Sequence, residues 1–189
     1  EPYWLAKAHG NLYDVAVQQI GRPVDHSFLL LSGEFVAPDH VTPSWTYSRL
    51  MYKWVDRVAG ERIRPVYVTP VASVIPEKTT WLIKENGGIL KVSVEALTDE
   101  LNGTLSCSAP KGWLITPPSC NVGPLKRGER ATFTFMHQGS NQPEPGSLKF
   151  LFSSADGQSK SNKTLHEIDY PHIMPQVYYT PAEVKMIPL

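Results

Sequence analysis

The sequence predicts an all-β protein of two β-sandwich units, the first of them incomplete, and three observations carry that reading. Apolar and polar residues alternate with a period of two through the second half of the chain. Clusters of turn-forming residues separate the alternating runs. The 17 prolines and 13 glycines among 189 residues favour many short elements, because proline lacks the backbone donor that helices and central strands need.

In chain order, Phe28-Leu29-Leu30-Leu31 and Glu34-Phe35-Val36 read as one strand with an irregularity at Gly33. Through Ser48, Leu50, Tyr52 and Trp54 the even positions are mostly apolar, with Arg49 and Lys53 on the other face. The best helical candidate, Tyr52 to Val58, is stopped by Gly60, so a strand running into a turn is expected there. Val66-Tyr67-Val68 forms a further short strand before Pro70. Leu90 to Ala96 alternates strictly. Successive side chains of a strand point to opposite faces, so Leu90, Val92, Val94 and Ala96 should meet a core. Ala131 to Phe135 repeats the pattern with Phe133 and Phe135 inward, and Leu148 to Phe152 repeats it again. Turns are expected at Glu85-Asn86-Gly87-Gly88, Lys126-Arg127-Gly128-Glu129 and Gln142-Pro143-Glu144-Pro145-Gly146. Runs so spaced indicate an antiparallel sandwich.

Three segments follow. Residues 1–72 are a β-rich unit that reads as the C-terminal part of a larger sandwich; 73–170 form a sandwich of their own; 171–189 are a Pro-rich tail or linker. Pro65, Pro70 and Pro76 bracket the junction of the first two. The bulky opening Glu1-Pro2-Tyr3-Trp4-Leu5 is expected to lie inside a longer polypeptide.

Apolar residues make up 41% and charged residues 19% of the chain, a balance suited to a folded domain. Eighteen basic residues offset eighteen acidic ones without a dense basic run, which disfavours nucleic acid or an anionic membrane surface as partner. No apolar run approaches the ~20 residues a spanning helix needs, so no membrane insertion is expected.

Reactive residues do not gather into a motif. His166, Asp169 and His172 recur at three-residue intervals, but Pro171 interrupts them and Leu165 with Ile168 reads as strand, so convergence on a metal is not expected. Asp25-His26 and Asp39-His40 read as solvated turn residues. There is no nucleophile elbow, zinc-protease motif or phosphate-cradling glycine loop. Neither a catalytic residue, a metal site nor a cofactor is therefore expected. Cys107 shares the parity of Leu105 and could meet Cys120; a bridge over such a loop stabilises by ~3 kcal/mol, and the alternative is two separate buried thiols. Trp4, Tyr3, Trp45 and Tyr47 are candidates for stacking on sugar rings, with Trp4, Trp45 and Tyr47 the foremost. For Trp54, Trp81 and Trp113 core packing is the stronger reading.

Several segments together resemble one family. Glu1-Pro2-Tyr3-Trp4-Leu5, Tyr13-Asp14-Val15 and Ile20-Gly21-Arg22-Pro23 are similar to the non-catalytic region of large bacterial PIG-L/LmbE-type deacetylases, and Tyr52 to Pro65, with its Gly60-Glu61-Arg62-x-Arg64-Pro65, resembles that region's signature. Ala109-Pro110-Lys111-Gly112-Trp113 with Pro124-Leu125 resembles the immunoglobulin-like domain found beside glycosidase catalytic domains. Ile168-Asp169-Tyr170-Pro171-His172-Ile173 with Gln176 extends the likeness. The resemblance implies a periplasmic or secreted parent whose metal-dependent N-deacetylase domain precedes this chain. The family's Pro-His-Pro-Asp-Asp-like metal motif has no counterpart here, since Pro171-His172-Ile173 lacks the second proline and the aspartates. The implied role is structural: spacing or docking the catalytic domain, with other domains of the same polypeptide as partners. A carbohydrate-binding module is the alternative, and an open sheet edge in the first unit could support a dimer.

Overall fold

The computed structural model describes residues 10, 12, 14–17, 20–21, 29–37, 40–83, 87–139, 145–170 and 172–188. Among these the chain is all-β, without an α-helix. The strands are, in order, β1 (Leu30–Ala37), β2 (His40–Arg49), β3 (Met51–Asp56) and β4 (Gly60–Pro65); then β5 (Ala72–Pro76), β6 (Thr80–Ile83), β7 (Gly87–Ala96) and β8 (Glu100–Ser108). They continue as β9 (Trp113–Thr116), β10 (Ser119–Lys126), β11 (Arg130–Gly139) and β12 (Gly146–Ser154), followed by β13 (Lys160–Ser161), β14 (Lys163–Ile168), β15 (Gln176–Pro181) and β16 (Glu183–Pro188).

The chain divides into two compact units, one of residues 1–68 with 166–178 and the other of 69–165 with 179–189. The second is a β-sandwich. One sheet runs β5-β7-β11-β9; the other runs β10-β8-β12-β16-β6, with β13 paired to β12. The inward residues are the alternating ones: Leu90, Val92, Val94 and Ala96 of β7, Phe135 of β11, and Leu148, Phe150 and Phe152 of β12 are all buried. Across the layers Phe135 and Phe150 pack ring against ring at 5.5 Å. Phe133, expected inward, is half-buried and packs at the core's margin. In β10 the ladder to β8 shifts register between Val122 and Leu125. Gly123 sits in that irregularity with φ +105, where a side chain would strike the Leu101 carbonyl, so only glycine suits the position.

The first unit contributes the antiparallel hairpins β1–β2 and β3–β4. β3 ends as the sequence suggests, in a turn: Asp56 Oδ1 accepts the backbone N–H groups of Val58 and Ala59, both at 2.8 Å. Gly60 follows with φ +77.

Four expectations differ from the structure. The tail expected from residue 171 holds β15 and β16, and β16 lies inside the larger sheet between β12 and β6. Its Val184 and Met186 are buried, because Glu183 to Ile187 alternates like any half-buried strand. The irregularity of β1 falls between Phe35 and Ala37, whereas Gly33 pairs regularly with Thr46. The run through Ser48 to Trp54 is split between β2 and β3, and β3 lacks strict alternation because Tyr52 is exposed. Val66 to Val68 is not a strand, although the Val66 N–H donates to the Leu50 carbonyl at 3.0 Å. Phe28 and the turn residues 85–86 and 142–144 lie outside the described residues.

Candidate functional site

The least ordinary chemistry of the second unit is at one margin of the sandwich. β6 ends the larger sheet and β9 ends the smaller one, with β11 beside β9. β11 keeps the parity that buries Phe135, which turns His137 inward as well, and only 3% of its surface is exposed. The imidazole meets Trp81 of β6 edge-on at 4.6 Å and Trp113 of β9 at 5.7 Å. Neither ring nitrogen has a hydrogen-bond partner among the described residues. Gly88, the register partner of His137 on β7, makes room for the ring: a Cβ there would lie 2.7 Å from Nε2 and 3.0 Å from the Trp81 ring.

Leaving a buried polar group without a hydrogen bond costs about 1–3 kcal/mol. With both ring nitrogens unpaired the cost is about 2–6 kcal/mol, and the two aromatic pairings return about 1–3 kcal/mol, so a neutral ring is partly compensated. A protonated ring fares differently. Cation–π attraction offers about 0.5–2 kcal/mol, less than the several kcal/mol needed to desolvate an ion, and the Lys78 ammonium already lies over Trp81 at 4.7 Å. Burial accordingly holds the imidazole pKa below its ordinary value of 6.5.

On the outer face of the same sheet lies an open depression of about 450 Å³ lined by Ile89, Leu114, Thr116 and Met136 with neighbouring backbone. Ile89, Leu114 and Met136 are more than half exposed, an apolar strip on a solvent-facing surface. A second depression, of about 340 Å³, is lined by Glu100, Asn102, Ser154 and Asp156 together with Val71 and Leu101.

In the first unit the β3–β4 register places Arg64 opposite Tyr52 and Arg62 opposite Trp54. The Tyr52 and Trp54 rings stack at 5.5 Å with 24° between their planes. The Arg64 guanidinium sits 6.0 Å from one ring centre and 5.7 Å from the other and 3.8 Å from the Glu167 carboxylate. Trp54 is half-buried against Tyr52 and is not part of the hydrophobic core, whereas Trp113 is in the core and Trp81 packs against it.

Of the residues singled out from sequence, Trp4 and Tyr3 lie outside the described residues. Trp45 and Tyr47 fall in β2, in register with Glu34 and Ser32, and their side chains lie outside what is described. Asp25, His26 and Asp39 are likewise outside. His166 stacks on Tyr178 at 4.7 Å and His172 on Tyr170 at 6.1 Å; among the described residues no cluster of three metal-ligating side chains forms. Cys107 and Cys120 are free thiols. Cys120 faces Leu105 across the β10–β8 ladder, two positions from Cys107 on the same face. Such diagonal neighbours stand ~7–8 Å apart, beyond the Cα separation a disulfide closes without backbone movement. Burial pushes the Cys107 thiol up to about 12 and raises that of Cys120. The signal for His137 was its parity with Phe133 and Phe135, which continues two residues beyond the expected strand.

No family model matches the sequence, and neither does any curated protein. Among solved structures, WR4, a Caenorhabditis elegans MSP family member, is similar over 64% of this chain and 100% of its own, at 10% identity and TM-score 0.37. The periplasmic chaperone SfaE is similar over 61% of this chain and 58% of its own, at 12% identity and TM-score 0.32. Escherichia coli alpha-2-macroglobulin is similar over 77% of this chain, at 13% identity and TM-score 0.38, and the match spans 9% of its length. The chain is all-β, and its second unit is a β-sandwich by its own two sheets.

Proposed function

We propose that this chain is a non-catalytic accessory region of a larger exported enzyme, spacing or docking a catalytic domain of the PIG-L/LmbE deacetylase type. One observation supports the reading best: the connectivity. The chain passes between its two units three times, near residues 68, 165 and 178, and β16, inside the larger sheet, is contributed only after the last passage. Neither unit is a continuous stretch of the sequence. A chain that returns to each unit, instead of crossing a single linker once, suits a spacer between neighbouring domains. The segment most like the deacetylase-associated region, Tyr52 to Pro65, coincides with one folded element, the β3–β4 hairpin. The periplasmic or secreted location belongs to the same reading.

Co-purification tests it. The chain, expressed separately from the deacetylase-type domain encoded in the same reading frame, is expected to retain that domain on a column and to leave N-acetylglucosamine derivatives unchanged on its own. Turnover by the chain alone, or a reading frame without such a domain, overturns the proposal.

A second reading, a glycan contact, is favoured by the exposure of Tyr52, 54% of whose surface reaches solvent beside Trp54 and Arg64. Polysaccharide retardation in a gel, lost on Tyr52→Ala, supports it. Retardation that survives Tyr52→Ala but is lost on Trp45→Ala or Tyr47→Ala moves the contact to β2.

A further inference from the structure

We propose that His137 is an acid-sensitive latch that holds the edge strands β6 and β9 to the sandwich core and releases them when its ring takes up a second proton. The inference goes beyond the accessory role and does not depend on it.

The geometry carries the argument. His137 faces inward and touches both margins, Trp81 on the last strand of one sheet and Trp113 on the last strand of the other. Edge strands have one ladder neighbour and depend on side-chain contacts for the rest of their attachment. β9 is four residues long, and among the described residues β6 is joined to its sheet through β16. The ring therefore adds a side-chain contact to each of two strands that end their sheets.

The surroundings favour only the neutral form. On β11 the neighbours of His137 are Met136 and Gln138, and the register partners are Gly88 on β7 and Ile115 on β9. β9 carries no ionisable group, nor does β6; Lys91 and Glu95 lie farther along β7, and Glu95 is engaged by Arg130 at 2.6 Å. On β10, which also packs against β11, the ionisable groups are Cys120 and Lys126, and the Glu129 carboxylate accepts from the Lys126 N–H. On β16, beside β6, Glu183 and Lys185 occupy the parity opposite that of the buried Val184 and Met186. Among the described residues the Lys78 ammonium lies over Trp81 and repels a second cation. Among the described residues no carboxylate pairs with the imidazole. A proton added here creates a buried charge without an acceptor, and the ring regains hydration by leaving the space between the tryptophans.

The sign follows from linkage. The folded chain binds this proton less readily than the unfolded chain, whose imidazole titrates near 6.5. The stabilisation is complete above that pH and declines as pH falls below it, until the folded ring itself titrates.

The test uses the full chain. The His137 ring resonances, followed by NMR from pH 8 to pH 4, are expected to titrate with a midpoint below 6.5; a midpoint at or above 6.5 overturns the latch. The unfolding equilibrium constant is expected to rise by up to about tenfold per pH unit below 6.5, with a shallower slope in His137→Phe. Equal slopes in the two chains overturn it. Amide exchange, corrected for its intrinsic pH dependence, is expected to accelerate at Trp113–Thr116 and Thr80–Ile83 before Leu148–Phe152. Uniform acceleration, or none, assigns His137 an ordinary packing role. Should His137→Phe fail to fold, the ring titration and the exchange order in the native chain still decide.

Discussion

Leu165 donates its backbone N–H to the Ser73 hydroxyl at 2.9 Å, although 92 positions separate the two residues. Two further bonds run alongside. Ser161 Oγ donates to the Ala72 carbonyl at 2.6 Å, and Thr164 Oγ1 donates to the Val74 carbonyl. All three hydroxyl residues are buried, and together they bind the segment 161–165 to β5, the first strand of the smaller sheet. The two margins of the sandwich are thus closed by different chemistry. Hydrogen-bonded hydroxyls close the β5 side, and an imidazole between indoles closes the β6–β9 side.

The β5 side should be sensitive to loss of a single partner. Ser73→Ala strands the Leu165 N–H, and Thr164→Val strands the Val74 carbonyl while keeping the side-chain shape. Each is expected to cost about 1–3 kcal/mol, since an unpaired buried group bears its desolvation in full. Urea denaturation checks this: the midpoint should fall with the slope unchanged, as for a stability loss without a change of unfolded state.

At the opposite margin, Gly88→Ala places a methyl group against His137 Nε2 and the Trp81 ring. Overpacking of this kind is expected to cost about 1–3 kcal/mol. The cause can be isolated, because His137→Ala removes the ring that the methyl group strikes. In the double variant the penalty of Gly88→Ala should shrink by most of its value, a non-additivity that a thermal-melt cycle reads directly. Additive losses would place the cost in the β7 backbone.

These margins were the least legible part of the chain. Period-two burial was plain wherever one face is wet, so Leu90, Val92, Val94 and Ala96, and Leu148, Phe150 and Phe152, could be assigned to the core from their order alone. The same rule exposes β16, whose Val184 and Met186 are buried between Glu183, Lys185 and Ile187. Pro175, Pro181 and Pro188 masked that alternation, because prolines are also what mark a linker. β5 gave no signal for a different reason. Ala72, Ser73 and Val74 are all buried, so the strand has no polar face, and Ser73 is satisfied by a group 92 positions away. The Trp81–His137–Trp113 contact unites three strands whose meeting depends on sheet order, which side-chain alternation does not encode. The sugar-stacking candidates Trp4, Trp45 and Tyr47 fall where no side chain is described, and Tyr52 with Trp54 is a stacked pair among the described residues of the same unit.

The cysteines should behave as inert thiols under native conditions. With its pKa pushed up to about 12, Cys107 carries little thiolate at pH 8, and the thiolate is the reactive form. Titration with a chromogenic disulfide is expected to label Cys120 first and Cys107 only on unfolding, giving two thiols in total and no loss of stability in reducing buffer. A native chain with no titratable thiol would establish the bridge that the strand register disfavours.

The β3–β4 turn offers a second, independent pH response. Asp56 accepts two backbone N–H groups, from Val58 and Ala59, and these bonds, the Ala59 one first, hold its carboxyl below the usual value of 3.8, with Arg62 adding a smaller pull in the same direction. The folded hairpin therefore binds the proton less readily than the unfolded chain. Its contribution to stability is present above 3.8 and is lost as pH falls through the lower, folded value. Because the turn is exposed, the response should be local: amide exchange at Val58 and Ala59 is expected to speed up below pH 3.8, after intrinsic correction, while the β12 amides remain protected. Asp56→Asn keeps an acceptor oxygen without the titratable charge, so it should retain part of the protection and lose its pH dependence over that range. Asp56→Ala should lose both. Equal exchange in all three chains would mean that Gly60, with its positive φ, sets the turn without help from the carboxylate.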